Sequence, residues 1–123
     1  MSQRILVVDD RESNRELLRT ALESAGYEVC EASNGIQALE LMHANPPDLA
    51  IVDIQMPGLD GYGVLEQVKA SEKLAGVPLV ALTAYAMESD SQRGSEAGFA
   101  GYITKPVPMR RLLSVISGLI PNR

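Results

Sequence analysis

Short, almost purely apolar runs alternate along this chain with longer amphipathic stretches, and that alternation leaves few folds open to it. Ile5–Val8, Val29–Ala32, Leu49–Val52, Leu79–Leu82 and Gly101–Ile103 read as strands. The first, third and fourth are nearly unbroken in apolar character, which suits strands covered on both faces, as in a parallel sheet. Between the runs, apolar residues fall at helical spacing. Leu17, Leu18, Ala21, Leu22 and Ala25 form one stripe, and Leu112, Leu113, Ile116 and Leu119 another. Strands alternating with helices imply right-handed crossovers, and so a doubly wound α/β sheet of (βα)₅ type.

Boundary residues agree with this reading. Ser13 followed by Glu16 predicts a capping box that opens the first helix, and Gly26 is placed to end it. Asn34 with Gln37 repeats the pattern at the second helix, which Pro46-Pro47 stops. Pro108 suits the first turn of the last helix and Pro121 its end. The weakest helix is the one expected between Ala86 and Ala97. Its apolar stripe is thin, and Gly94 interrupts it at a cost of about 1 kcal/mol relative to Ala. It fits a plain surface helix or part of a moving switch equally well.

The chain has no internal repeat or linker, so residues 1–123 are expected to form one domain. At 46% hydrophobic it can build a core, and with 4% aromatic residues and no Trp that core must be aliphatic. The formal net charge of −5 argues against unaided binding to nucleic acid or anionic lipid. Cys30 is the single cysteine, which removes internal disulfides and zinc motifs and reads as a packed strand residue. Ile5–Val8 is too short for a secretory signal, and no run approaches the roughly 20 residues a membrane span needs. A cytoplasmic location, away from the membrane, is the expectation.

The residues just past each strand carry the chemistry. Strand one ends in Asp9-Asp10, strand three in Asp53 and strand four in Thr83, while strand five leads to Lys105-Pro106. In the order 2-1-3-4-5, borrowed from known doubly wound sheets, the switch point lies between strands one and three, where ligands bind beyond the carboxyl ends. Neighbouring strands lie about 4.8 Å apart, so Asp9, Asp10 and Asp53 crowd into one crevice, with Thr83 and Lys105 on the far side of strand three. Carboxylates that close repel unless a cation intervenes. Hard oxygen donors in a partly open site favour Mg²⁺, which takes one or two carboxylates and keeps waters that a phosphate can displace. Lys105 adds a point charge and Thr83 a hydroxyl, and Asp53, central between acids and base, is the natural phosphoryl acceptor.

Ile5-Leu6-Val7-Val8-Asp9-Asp10, Val52-Asp53-Ile54-Gln55-Met56-Pro57-Gly58-Leu59-Asp60-Gly61, Leu82-Thr83-Ala84 and Gly101-Tyr102-Ile103-Thr104-Lys105-Pro106, in this order and spacing, resemble the receiver domains of two-component response regulators over essentially the whole chain. The resemblance implies a CheY-like, flavodoxin-like fold in which Asp53 is phosphorylated. Asp10, Asp53 and the backbone carbonyl of Gln55 would bind Mg²⁺, with Mn²⁺ able to substitute, and Asp9 would act through water. Lys105, Thr83 and the backbone N–H of Ala84 would meet the phosphoryl oxygens. Gln55 and Tyr85 would influence the lifetime of the phosphoryl group, although Tyr85 also fits a role as a surface cover. Thr83 and Tyr102 would form a switch that alters a protein-interaction surface made by the helix before strand five, strand five itself and the last helix. The implied donor is a sensor histidine kinase or a histidine phosphotransfer protein, and the output a downstream protein target. The Lys105–Pro106 bond is often cis in such domains.

Arg11 and Asn14 read as a solvated helix start or as residues tuning access to the site. His43, the sole histidine, complements the dipole at the end of its helix. Three rivals stand beside the resemblance. A metal-dependent phosphatase or phosphotransferase acting on small molecules would also use an aspartyl nucleophile, but Asp9-Asp10 lacks the usual Asp-x-Asp spacing. A phosphorylation-independent adaptor would keep the fold without needing all five site residues. A flavodoxin would need a Ser/Thr-rich phosphate loop after strand one.

Overall fold

All five apolar runs form strands, each within one residue of its expected bounds. The computed structural model describes residues 3–83 and 96–121. There the chain runs β1 (Arg4–Val8), α1 (Glu12–Ser24), β2 (Glu28–Ala32), α2 (Gly35–Ala44), β3 (Leu49–Asp53), α3 (Gly61–Ala70), β4 (Leu79–Thr83), β5 (Gly101–Thr104) and α4 (Met109–Leu119). The sheet is parallel throughout, in the order β2-β1-β3-β4-β5. This is the (βα)-type doubly wound sheet of flavodoxin-like proteins, with its switch point between β1 and β3.

Strand alternation divides the core in two. Leu6, Val8, Ala50, Val52, Leu79 and Ala81 pack with Met42 of α2 and with Val64 and Val68 of α3. Ile5, Val7, Leu49, Ile51, Leu82 and Ile103 pack with Leu18 and Leu22 of α1 and with Leu112 and Ile116 of α4. Every residue of β3 and β4 is buried, which explains the apolar runs that precede Asp53 and Thr83. Each fully buried aliphatic side chain contributes about 1.5–3 kcal/mol over an exposed one. Cys30 is half-buried against the α2–α3 side, a packing role as expected.

Two expectations are corrected. Helix α1 begins at Glu12 with Arg11 as its cap, so Ser13 lies inside the helix and forms no capping box. The Asp9 carboxylate accepts the Arg11 N–H at 2.9 Å and so fixes the helix entry from outside. Leu17, placed in the apolar stripe, is 61% exposed, and Ala25 is exposed as well, because Leu18 and Leu22 are the residues of α1 buried against the sheet. Asn34 does cap α2, accepting the Gln37 N–H at 2.8 Å, and Gly26 does follow α1 at φ +96°, where a side chain would be strained. Proline placement also holds: Pro108 caps α4 and Pro121 lies just past it. His43 lies in the last turn of α2. Of the helix expected between Ala86 and Ala97, residues 86–95 lie outside the described residues. No helix among the described residues is long and apolar enough to cross a membrane.

Candidate functional site

Parallel register brings the carboxyl ends of β1 and β3 side by side, Val8 opposite Val52. The next residue in each strand is an acid. Asp9 extends the β1–β2 ladder by one bond, its N–H reaching the Ala32 carbonyl at 3.1 Å, and Asp53 closes β3. One carboxylate oxygen from each of Asp9, Asp10 and Asp53 lies within 4.8 Å of the others. Asp9 is 1% and Asp53 3% exposed, whereas Asp10 is exposed and opens the cluster to solvent. The acids therefore sit at the edge of the sheet and belong to neither apolar core.

Lys105, one residue past β5, reaches back over β4. Its Nζ lies 3.0 Å from Asp53 Oδ2 and 3.5 Å from Asp9 Oδ2. The Lys105–Pro106 bond is cis, as the resemblance implied. The other Asp53 oxygen, Oδ1, accepts the Gln55 N–H at 3.0 Å, which turns the β3–α3 loop around the carboxylate. Asp60 then caps α3 by accepting the Gly63 N–H at 2.9 Å. Gly61 is needed where it stands, since a Cβ there would come within 2.7 Å of Ile54 Cα and 3.0 Å of the Asp53 carbonyl oxygen.

Burial pushes the Asp9 carboxyl above its ordinary value. The Arg11 N–H bond, the charge of Lys105 and the Asn14 amide at 3.3 Å work against that rise, and neighbouring Asp53 adds to it. A buried carboxylate beside two others is the donor set that a hard divalent cation suits. Oxygen ligands and net negative charge are present, and soft donors are absent from the cluster.

Thr83 ends β4, fully buried, and Lys105 N–H donates to its carbonyl at 2.6 Å. It registers with Thr104, and Ala81 with Tyr102. By strand alternation Thr83 and half-buried Tyr102 thus share the α2–α3 face of the sheet. Asp53 and Lys105 continue the opposite parity. Ala84 and Tyr85 lie outside the described residues.

A family model described as the response regulator receiver domain matches residues 5–117. The chain belongs to that family.

This receiver domain is 35% identical over 120 residues to the polar-differentiation response regulator DivK of Brucella ovis, covering 98% of each chain. Among solved structures it superposes on a response regulator from Chloroflexus aurantiacus, described as putative, with a TM-score of 0.92 and 34% identity over 97% of this chain and 98% of that one. The receiver domain of a signal transduction histidine kinase from Syntrophus aciditrophicus gives 0.86 and 32%, over 99% and 96%. The receiver domain works in phosphorelay signal transduction, and neither the phosphatase nor the adaptor reading is favoured.

Sequence reasoning brought Asp9, Asp10, Asp53 and Lys105 to one place, with Thr83 at the adjacent strand end, and there the structure holds them. It undervalued Asn14, whose amide contacts Asp9, and it assigned nothing to Arg15. Arg15 donates to the Asp9 carbonyl at 2.8 Å. A lone arginine on a helix has no signature that tells a solvated residue from one folded back on a strand end.

Proposed function

We propose that the whole chain, residues 1–123, is a phosphoacceptor domain in which Asp53 receives a phosphoryl group from a phosphohistidine and passes the signal on through a changed surface. The observation that carries this is the meeting of three carboxylates within 4.8 Å with an ammonium group 3.0 Å from Asp53. One Asp53 carboxylate oxygen would attack phosphorus in line as the bond from phosphorus to the imidazole nitrogen breaks. The bonding pair returns to the ring, which takes up a proton. Asp10, Asp53 and the Gln55 carbonyl would hold Mg²⁺, with Asp9 acting through water, and the bound ion would supply neutralisation of charge on the phosphoryl oxygens.

The chain's own groups do the rest. Lys105, already paired with Asp53, would shift to the phosphoryl oxygens, and Thr83 with the Ala84 N–H would bind others. Gln55 and Tyr85 would set how easily water reaches the acyl phosphate. The modification adds about −1.5 to −2 charges, so movement of Thr83 towards it would let Tyr102 follow on the shared face. The domain assists its own phosphorylation and dephosphorylation and turns over no separate substrate.

A donor must approach over the same edge. Beside Lys105 lies a groove of about 240 Å³ lined by Leu17, Leu18, Pro106, Val107 and Met109. It is smaller than ordinary small-molecule pockets, roughly 300–1,000 Å³, and suits a few apolar side chains of a histidine kinase or histidine phosphotransfer protein. Exposed Leu17 then has a role that core packing does not give it.

Incubation with acetyl phosphate, with and without Mg²⁺, followed by intact mass measurement tests this reading. Gain of one phosphoryl group only with metal, abolished in Asp53→Asn, is expected. An unchanged mass of the wild-type protein in both samples would overturn it.

A further inference from the structure

We propose that Arg15, held by Glu31, is a positioning residue that locks the Asp9–Asp10 peptide and thereby sets the metal affinity of the acidic site. The proposal rests on the reading of that site as one for Mg²⁺. Arg15 is 15% exposed, and a guanidinium so covered has to be paired. Its two visible partners are of different kinds. One nitrogen donates to the Asp9 main-chain carbonyl at 2.8 Å, and Nε lies 3.3 Å from Glu31 Oε1. Glu31 is itself held from the other side, by Arg19 at 2.5 Å.

The carbonyl that Arg15 grips belongs to the peptide joining Asp9 to Asp10. The N–H of Asp9 is bonded to Ala32, the residue after Glu31 on β2. The Asp9 main chain is thus pinned on both sides from one short stretch of the edge strand. Rotation of the following peptide would swing Asp10, the one exposed member of the acidic cluster and the one no strand holds. Outer groups that orient ligands commonly account for 10–100-fold in metal affinity. Glu31 has a second consequence, since its charge balances that of Arg15 and keeps an uncompensated cation from standing beside a cation site.

A plain staple between α1 and β2 would stabilise the fold without touching the metal, and the two roles separate by measurement. Amide NMR spectra of the wild type, Arg15→Met, Arg15→Lys and Glu31→Gln are titrated with magnesium chloride, and each protein is melted in EDTA. Arg15→Met is expected to bind Mg²⁺ about 10-fold more weakly or worse. Arg15→Lys keeps the charge but cannot reach both partners with one fork, and should recover only part of the loss. Glu31→Gln is expected to weaken binding as well, and decides the matter by the same criterion if Arg15→Met does not fold. A lowered melting temperature with wild-type Mg²⁺ affinity would overturn the proposal and leave only the staple. Absence of Mg²⁺ binding in the wild type would instead overturn the metal reading beneath it.

Discussion

Lys105 Nζ stands 3.0 Å from Asp53 Oδ2, across the full width of β4, so the proposed acceptor carboxylate and the ammonium group are already in contact in the unmodified protein. The same Nζ lies 3.5 Å from Asp9. In the proposed transfer the ammonium group would stand where negative charge gathers, and only a small displacement would bring it to the phosphoryl oxygens. Lys105→Met is expected to slow labelling by acetyl phosphate on the order of 100-fold, while leaving Asp53 chemically intact. Single-turnover labelling followed by mass measurement checks this. A rate within a factor of two of wild type would remove Lys105 from the site.

Burial raises the Asp9 carboxyl above its unfolded value near 3.8, so the folded, metal-free protein holds a proton there more readily than the unfolded chain. The sign follows by linkage. This contribution to stability is fully present below the unfolded value and is lost as pH rises through the folded one. Melting in EDTA should therefore show Asp9→Asn gaining stability relative to wild type at neutral pH, with the gap closing as pH falls towards 4. A gap that stays constant with pH would contradict the cause given.

Gly61 links the loop after Asp53 to α3, donating its N–H to the Ile54 carbonyl at 3.1 Å. An added Cβ would meet backbone at 2.7 Å, which cannot yield as a side-chain tip would. Gly61→Ala is expected to cost about 1–3 kcal/mol by overpacking and to slow Asp53 labelling with it. Urea unfolding and labelling of the same preparation test both halves, and loss of neither would show that the loop accommodates the methyl group.

Substitution of Leu17 tests the proposed donor groove apart from the chemistry. Leu17→Glu should slow transfer from a cognate phosphohistidine protein about 10-fold or more, as expected for one buried apolar contact turned into a charge, yet leave acetyl phosphate labelling unchanged. Equal effects on both donors would place Leu17 in the chemistry and not in docking.

The central strands were legible because strands covered on both faces demand nearly unbroken apolar runs, and in the borrowed order 2-1-3-4-5 the residues that follow the runs fall at one carboxyl edge. Asp9, Asp53, Thr83 and Lys105 could be placed by counting. What lay beyond reach depends on side chains choosing partners across the fold. Ser13 and Glu16 carry the capping pattern, but the Asp9 carboxylate takes the helix entry instead. Leu17 fits the helical stripe, yet the sheet meets only a narrower face of α1. Arg15 finds Glu31 and the Asp9 carbonyl only once β1, β2 and α1 have packed.

The identity of the acceptor is the claim on which the rest depends. Borohydride reduces an aspartyl phosphate to homoserine, so reduction after acetyl phosphate treatment with Mg²⁺ marks the modified position, and tandem mass spectrometry of the peptides reads it. Homoserine at position 53, absent from the metal-free sample, is the expected result. Homoserine at Asp9, Asp10 or Asp60 with position 53 unmodified would contradict the account.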